Sequence, residues 1–253
     1  MKKINNLSAS DLILAMEKKA DNKACRNKRP ILQKFFKTAK GEYAEGDILI
    51  GLAVPIVRNF ATKYQSLKHR EIKKLLNHKV HEIRLVGLLI LVKQYQAEKD
   101  KEEKRKIVGF YLQHSHRINN WDLVDLSAYK ILGDFLLTEA PTNTRALLKK
   151  LASSKNLWER RIAMVSTLAF IKEGRRDELI LISKKLLSDT EDLIYKANGW
   201  MLREFGKKFG EKDLEEFLKV NIKNIPRVTL RYATEKFDKI KRMYYYNLNK
   251  KNK

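Results

Sequence analysis

A chain of 253 residues with 43% hydrophobic residues carries material for a large core, and its 54 Lys+Arg against 30 Asp+Glu leave a formal charge of +24. That excess goes beyond what solubility asks for and selects polyanionic partners. It also meets two exclusions: the longest apolar run, Leu85 to Val92, is far shorter than the ~20 residues of a spanning helix, and the single cysteine, Cys25, permits neither an intrachain disulfide nor a thiolate zinc cluster.

In chain order, Met1 to Ala20 has no uninterrupted apolar stretch before Glu17-Lys18-Lys19, so it does not read as a signal peptide and a cytoplasmic address is expected. Residues 1–60 form a helical cap outside the repeat pattern, with Ser8 or Ser10 as N-cap of a helix running over Asp11 to Lys19. With only 10 Gly and 4 Pro in the chain and apolar residues at three- and four-residue spacing, residues 61–238 read as helices without a convincing strand. Arg84-Leu85-Val86 follows Leu75-Leu76-Asn77-His78, and the charge-dense Lys93 to Lys106 reads as a solvated helix end or connection. Val124, Ser127, Ala128, Ile131 and Phe135 line one face of a helix that begins near Asn120. Ile180, Leu181, Leu186 and Leu187 around Lys184-Lys185 mark another amphipathic helix. The tail, 239–253, carries six basic and no acidic residues around Tyr244-Tyr245-Tyr246. Two readings of it stand: a disordered, phosphate-seeking extension, or tyrosines closing the last apolar layer.

Self-similarity organises these elements. Arg161-Ile162-Ala163, Lys196-Ala197-Asn198 and Arg231-Tyr232-Ala233 are offset by 35 residues each time, and Trp121 falls 37 residues after Arg84. The period suits helix-pair repeats, so the expected fold is an all-α, HEAT-like (ARM-type) solenoid forming a single domain over 1–253, curved and basic on its concave face. Arg84, Arg161, Lys196 and Arg231 recur as cations near helix starts. They fit a cradle for a phosphate backbone. They fit equally a set of caps and ion pairs between repeats.

One unit departs from the pattern. It holds Trp121 where the others hold Arg or Lys, and Asp125 where Leu88, Val165 and Trp200 stand in three of the others; the last unit has Glu235 there, but terminal repeats are often atypical. Residues 121 and 125 share a helix face one turn apart. A carboxylate within a basic binding surface repels phosphate and needs a compensating role. Stabilising a cationic sugar during cleavage of a glycosidic bond is one such role, with indole faces attracting the same cation. The other reading makes Asp122 and Asp125 partners of the helix dipole and of basic neighbours, with Trp121 as core filling.

Asn120-Trp121-Asp122-Leu123-Val124-Asp125, Trp158-Glu159-Arg160-Arg161-Ile162-Ala163, Lys196-Ala197-Asn198-Gly199-Trp200-Met201-Leu202-Arg203-Glu204, and Pro226-Arg227 with Leu230-Arg231-Tyr232-Ala233 together resemble the AlkD-like DNA alkylation repair family. The resemblance covers roughly residues 45 to 245. It implies a HEAT-like solenoid that excises cationic N3- and N7-alkylated purines from duplex DNA without flipping the base. It further implies Asp125 as the catalytic aspartate, Trp121 and Trp200 as tryptophans against the lesion's deoxyribose, and Arg161 as an arginine on the DNA backbone. Arg84, Lys196, Arg203 and Arg231 join Arg161 as DNA-binding candidates. The expected partner is duplex DNA containing alkylated bases, bound by a monomer without membrane or obligate protein partner. No cofactor or metal is called for: His78 with His81, and His114 with His116, lack a matching carboxylate and cysteine set. A catalytically silent HEAT-repeat binder of DNA structures, or a scaffold for acidic proteins, are the rival functions.

Overall fold

The computed structural model describes residues 7–251. Over these the chain is all helical, and the lone extended feature is an isolated parallel bridge between Ile48 and Val80. Among the described residues no helix is long and apolar enough to cross a membrane. Contacts divide the chain into two compact units, Met1–Ser127 and Ala128–Lys253. The repeat periodicity marks no break at that point.

The first unit contains α1 (Ala9–Ala20), α2 (Lys23–Phe36), α3 (Val54–Lys63), α4 (His69–Leu76), α5 (His81–Ala97), α6 (Lys101–Gln113), a short 3-10 turn (Ser115–Arg117) and α7 (Trp121–Ala128), at whose end the division falls. Local chemistry sets several of these ends. Ser8 and Asp11 form a reciprocal capping box at the start of α1, and the Asn22 side chain accepts the Cys25 N–H at the start of α2. Helix α2 ends where Lys37 turns left-handed, at φ 54. The apolar run noted above becomes the centre of α5, buried from His81 through Val92 with α3 and α4 packed on it. A helix apolar on all sides must be covered on all sides, and each of its Leu, Ile and Val side chains contributes ~1.5–3 kcal/mol by leaving water. Glu82, also buried, turns its carboxylate to the backbone N–H groups of Ile50, Gly51 and Leu52 at 3.1, 2.8 and 3.3 Å. That anchors the loop ahead of α3.

The second unit contains a π-helical turn (Tyr129–Gly133), α8 (Asp134–Leu137), α9 (Pro141–Ala152), α10 (Leu157–Lys172), α11 (Asp177–Lys185), a 3-10 turn (Leu186–Ser188), α12 (Asp192–Phe209), α13 (Glu211–Asn221), α14 (Arg227–Ala233) and α15 (Lys239–Lys251). Helices α10, α12 and α14 begin at 157, 192 and 227, 35 residues apart each time, as the repeat predicts. Each packs on the next. Small residues permit the closest approaches: a Cβ on Gly133 would lie 2.5 Å from the Ser166 carbonyl oxygen, and one on Gly199 would lie 2.5 Å from both the Thr229 carbonyl oxygen and the Tyr232 Cβ. In the tail, which forms α15, Tyr244 is exposed and Tyr245 alone of the three tyrosines is buried among the described residues. The Tyr245 hydroxyl donates to Glu215 at 3.1 Å.

Candidate active site

Helix α7 opens with the motif that the sequence singles out. The Asn120 side chain, fully buried, accepts the Trp121 N–H at 2.8 Å and satisfies one of the unpaired donors at the helix start. Leu123, Val124, Ser127 and Ala128 point into the core, whereas Trp121 and Asp125, one turn apart, are both half-buried. The two therefore share a rim between core and solvent. Tyr111, close enough to feel the charge of Asp125, is fully buried and 3.0 Å from the Ser127 hydroxyl. Burial pushes the Tyr111 phenol well above its usual range, a hydrogen bond with Ser127 opposes this, and the negative charge of Asp125 adds to it.

The two acids of this motif differ in burial, Asp122 being buried and Asp125 half-buried. Asp122 is buried and accepts from His81 Nε2 at 2.9 Å, so it serves the dipole-and-pairing role that sequence reasoning had open for both acids. The imidazole is itself buried, and its Nδ1 lies 3.5 Å from Asp47. Burial alone would lower its pKa. The charge of Asp122, its hydrogen bond and the contact with Asp47 outweigh that, and His81 is pushed up to about 9. Burial would conversely raise Asp47, but His81 and Arg84 hold it below the usual carboxylate range.

Arg84, expected on the phosphate-facing surface, belongs to this interior network. It is 1% exposed, its Nη2 donates to Asp47 at 2.6 Å, and its Nη1 donates to the carbonyl oxygens of His78 and Lys79 at 3.1 and 3.2 Å. A phosphate has no access to it here. The reason is the all-round burial of α5, which leaves a cation near its start no solvent face. The Trp121 indole is held from the other side: it stacks on Phe36 with centroids 5.5 Å apart and meets Phe35 edge-on at 5.6 Å.

In the second unit the candidate cations differ among themselves. Arg161 is buried and donates to the Leu193 carbonyl oxygen, tying α10 to α12. Its neighbour Arg160 is paired with Asp189 at 2.7 Å. Lys196 pairs with Asp192 at 2.6 Å one turn back along α12, and Arg203 pairs with Glu204 at 3.2 Å and with Glu235. Arg231 is exposed, its guanidinium 5.5 Å from the Tyr232 ring centroid. Trp200 is half-buried on α12 beside the close contact made by Gly199. Helix starts also revise the repeat register. Asp125 is the fifth residue of α7, as Arg161, Lys196 and Arg231 are of α10, α12 and α14; the sequence alignment had matched Trp121 to them, one turn earlier. On this count the carboxylate itself stands in the slot that elsewhere holds a cation.

Sequence reasoning missed Phe36, Asp47 and the role of His81. No periodic signal reaches Asp47, which lies in an irregular segment, and nothing in the spacing of His81 points to its partners 34 and 41 residues away. Among the described residues no group of His, Cys, Asp and Glu side chains is arranged to hold a metal ion.

A family model described as DNA alkylation repair enzyme matches residues 15–237. Among solved structures, a predicted DNA alkylation repair enzyme from Enterococcus faecalis is similar with a TM-score of 0.61 at 18% identity, over 84% of this chain and 96% of that one. At that identity the likeness speaks for the fold. No curated protein matches the chain.

Proposed function

This chain belongs to the family of DNA alkylation repair enzymes, and from that premise we propose that it is a DNA glycosylase that releases cationic N3- and N7-alkylated purines from duplex DNA with Asp125 as its catalytic carboxylate. The observation that carries the reading is the half-buried Asp125 one turn from the half-buried Trp121 at the start of α7, in a protein whose net charge of +24 otherwise favours the phosphate backbone. Cleavage of the N-glycosidic bond sends the bonding pair to the alkylated base, which leaves neutral, and develops positive charge on the deoxyribose. A carboxylate beside that sugar stabilises the charge and orients the water that adds to C1′ and gives up a proton. Because the substrate is already a cation, no general acid has to protonate the leaving group. The indole of Trp121 presents an electron-rich face to the sugar, the family resemblance implies the same task for Trp200, and Arg231, the exposed member of the cation set, takes a backbone phosphate. The lesion is held without being flipped into a pocket, as the family resemblance implies.

The test is to incubate the purified protein with methylated duplex DNA and assay free alkylpurines. Asp125→Asn is expected to keep DNA affinity while losing release by ~10²–10³-fold, the scale of removing one preorganised electrostatic group, and Trp200→Ala to lose part of it. Release that persists in Asp125→Asn overturns the catalytic assignment. Salt-sensitive DNA binding with no release by the unaltered protein would identify a silent binder instead.

A further inference from the structure

Three rings in the first unit form a stack: the His81 imidazole lies 4.7 Å from the Phe36 ring at 35°, and Phe36 lies 5.5 Å from the Trp121 indole at 22°. The stack is closed into a circuit, because Asp122, the neighbour of Trp121 on α7, is hydrogen-bonded to the same imidazole at 2.9 Å. Three elements meet there: the end of α2, the start of α5 and the start of α7. His81 and Phe36 are buried whereas Trp121 is only half-buried, so the inner members are enclosed and the outer one reaches solvent.

We infer that His81 is a positioning residue for Trp121: its imidazolium, hydrogen-bonded to Asp122 with Asp47 3.5 Å from its other nitrogen, fixes Phe36 and through it the angle at which the indole is presented. The charged groups facing His81 are Asp122 from α7, Asp47 from the segment before α3, and Arg84 from its own helix. Glu82, next to it in α5, is engaged with the amides of Ile50 and Gly51. The interior is therefore balanced, two carboxylates against Arg84 and His81, only when the imidazole carries its proton. An imidazolium also attracts the face of a neighbouring ring, which the neutral form does far less; its Nε2 donates to Asp122 at 2.9 Å, while Nδ1 faces Asp47 at 3.5 Å without a hydrogen bond. Loss of the proton leaves an excess negative charge in the interior and relaxes the grip on Phe36. The pKa of about 9 puts that change at alkaline pH. The effect on excision rests on the glycosylase reading, whereas the placing of the indole does not.

The experiment uses the full chain labelled with 5-fluorotryptophan, whose three 19F resonances are assigned with Trp121→Phe, Trp158→Phe and Trp200→Phe. In the unaltered protein the Trp121 resonance is expected to titrate with a midpoint near pH 9. His81→Gln, which keeps a donor for Asp122 but no charge, should shift that resonance and abolish its titration, and should lower the excision kcat by ~10–100-fold, the scale of a misplaced group, with KM little changed. A Trp121 resonance that is the same in His81→Gln and unaltered protein across pH overturns the inference. Should His81→Gln fail to fold, Phe36→Leu serves, since it removes the middle ring and leaves both ion pairs; an unmoved Trp121 resonance there also overturns it. If the 19F response occurs but the unaltered protein releases no base, the glycosylase reading falls and the positioning role of His81 stands.

Discussion

Replacing Arg84 by Ala separates the interior role that the structure gives this residue from the phosphate contact expected of it from sequence. The guanidinium is 1% exposed and joins Asp47 at 2.6 Å and two backbone carbonyl oxygens. Truncation leaves Asp47 buried with only His81 opposite it and removes one donor each from the carbonyls of His78 and Lys79, which keep Arg117 Nη2 and the Ile48 N–H, both at 3.4 Å. Removing one partner of a buried ion pair costs about 3–5 kcal/mol, which for a protein of this size corresponds to a fall in Tm on the order of 10 °C. Affinity for a fluorescent duplex, followed by anisotropy over a salt series at a temperature where the variant stays folded, should keep its slope of log K against log salt, because no phosphate contact is lost. Arg231→Ala provides the contrast: Arg231 is exposed, so its loss should leave Tm nearly unchanged and reduce the slope by ~0.9, the contribution of one phosphate. An Arg84→Ala protein with unaltered Tm and a shallower slope would refute the burial argument.

Gly199→Ala should destabilise by about 1–3 kcal/mol, since its Cβ would sit 2.5 Å from the Thr229 carbonyl oxygen and α14 would have to move away from α12; an unchanged urea midpoint would contradict this close packing. Glu82→Gln replaces an acceptor of the amides of Ile50 and Gly51, at 3.1 and 2.8 Å, by a group with one acceptor oxygen and an NH2 that clashes in polarity. A loss of ~1–3 kcal/mol is expected, with faster amide exchange at these two residues as the local readout. His81 also gives a pH dependence. Its folded pKa is raised to about 9, so its contribution to stability is complete below the ordinary histidine value and is lost as pH rises through about 9. Asp47 is lowered, so its contribution is present above the ordinary aspartate value and is lost on acidification below it. Urea midpoints from pH 3 to 10 should therefore fall at both ends, and the alkaline fall should be absent in His81→Gln.

The helical class, the 35-residue repeat of α10, α12 and α14, the inward face Val124, Ser127, Ala128 and Ile131 and the conspicuous pair Trp121 and Asp125 were all legible in the amino-acid sequence. Each depends on spacing along one chain segment, and helical periodicity converts spacing into a face without reference to anything else. The fates of the cations depend on what packs around them. Arg84, Arg161, Lys196 and Arg231 look alike as leading cations of a repeat, yet two are buried, one is paired along its own helix and one is exposed. Asp122 and Asp125 look alike within one motif, and only tertiary contact with His81 separates the interior acid from the one at the rim. Burial and ion pairing are properties of groups brought together across long sequence separations, 41 residues between His81 and Asp122 and 37 between Asp47 and Arg84. No local pattern encodes which of several similar charges will be desolvated, because that is decided by the partner that arrives from elsewhere in the fold.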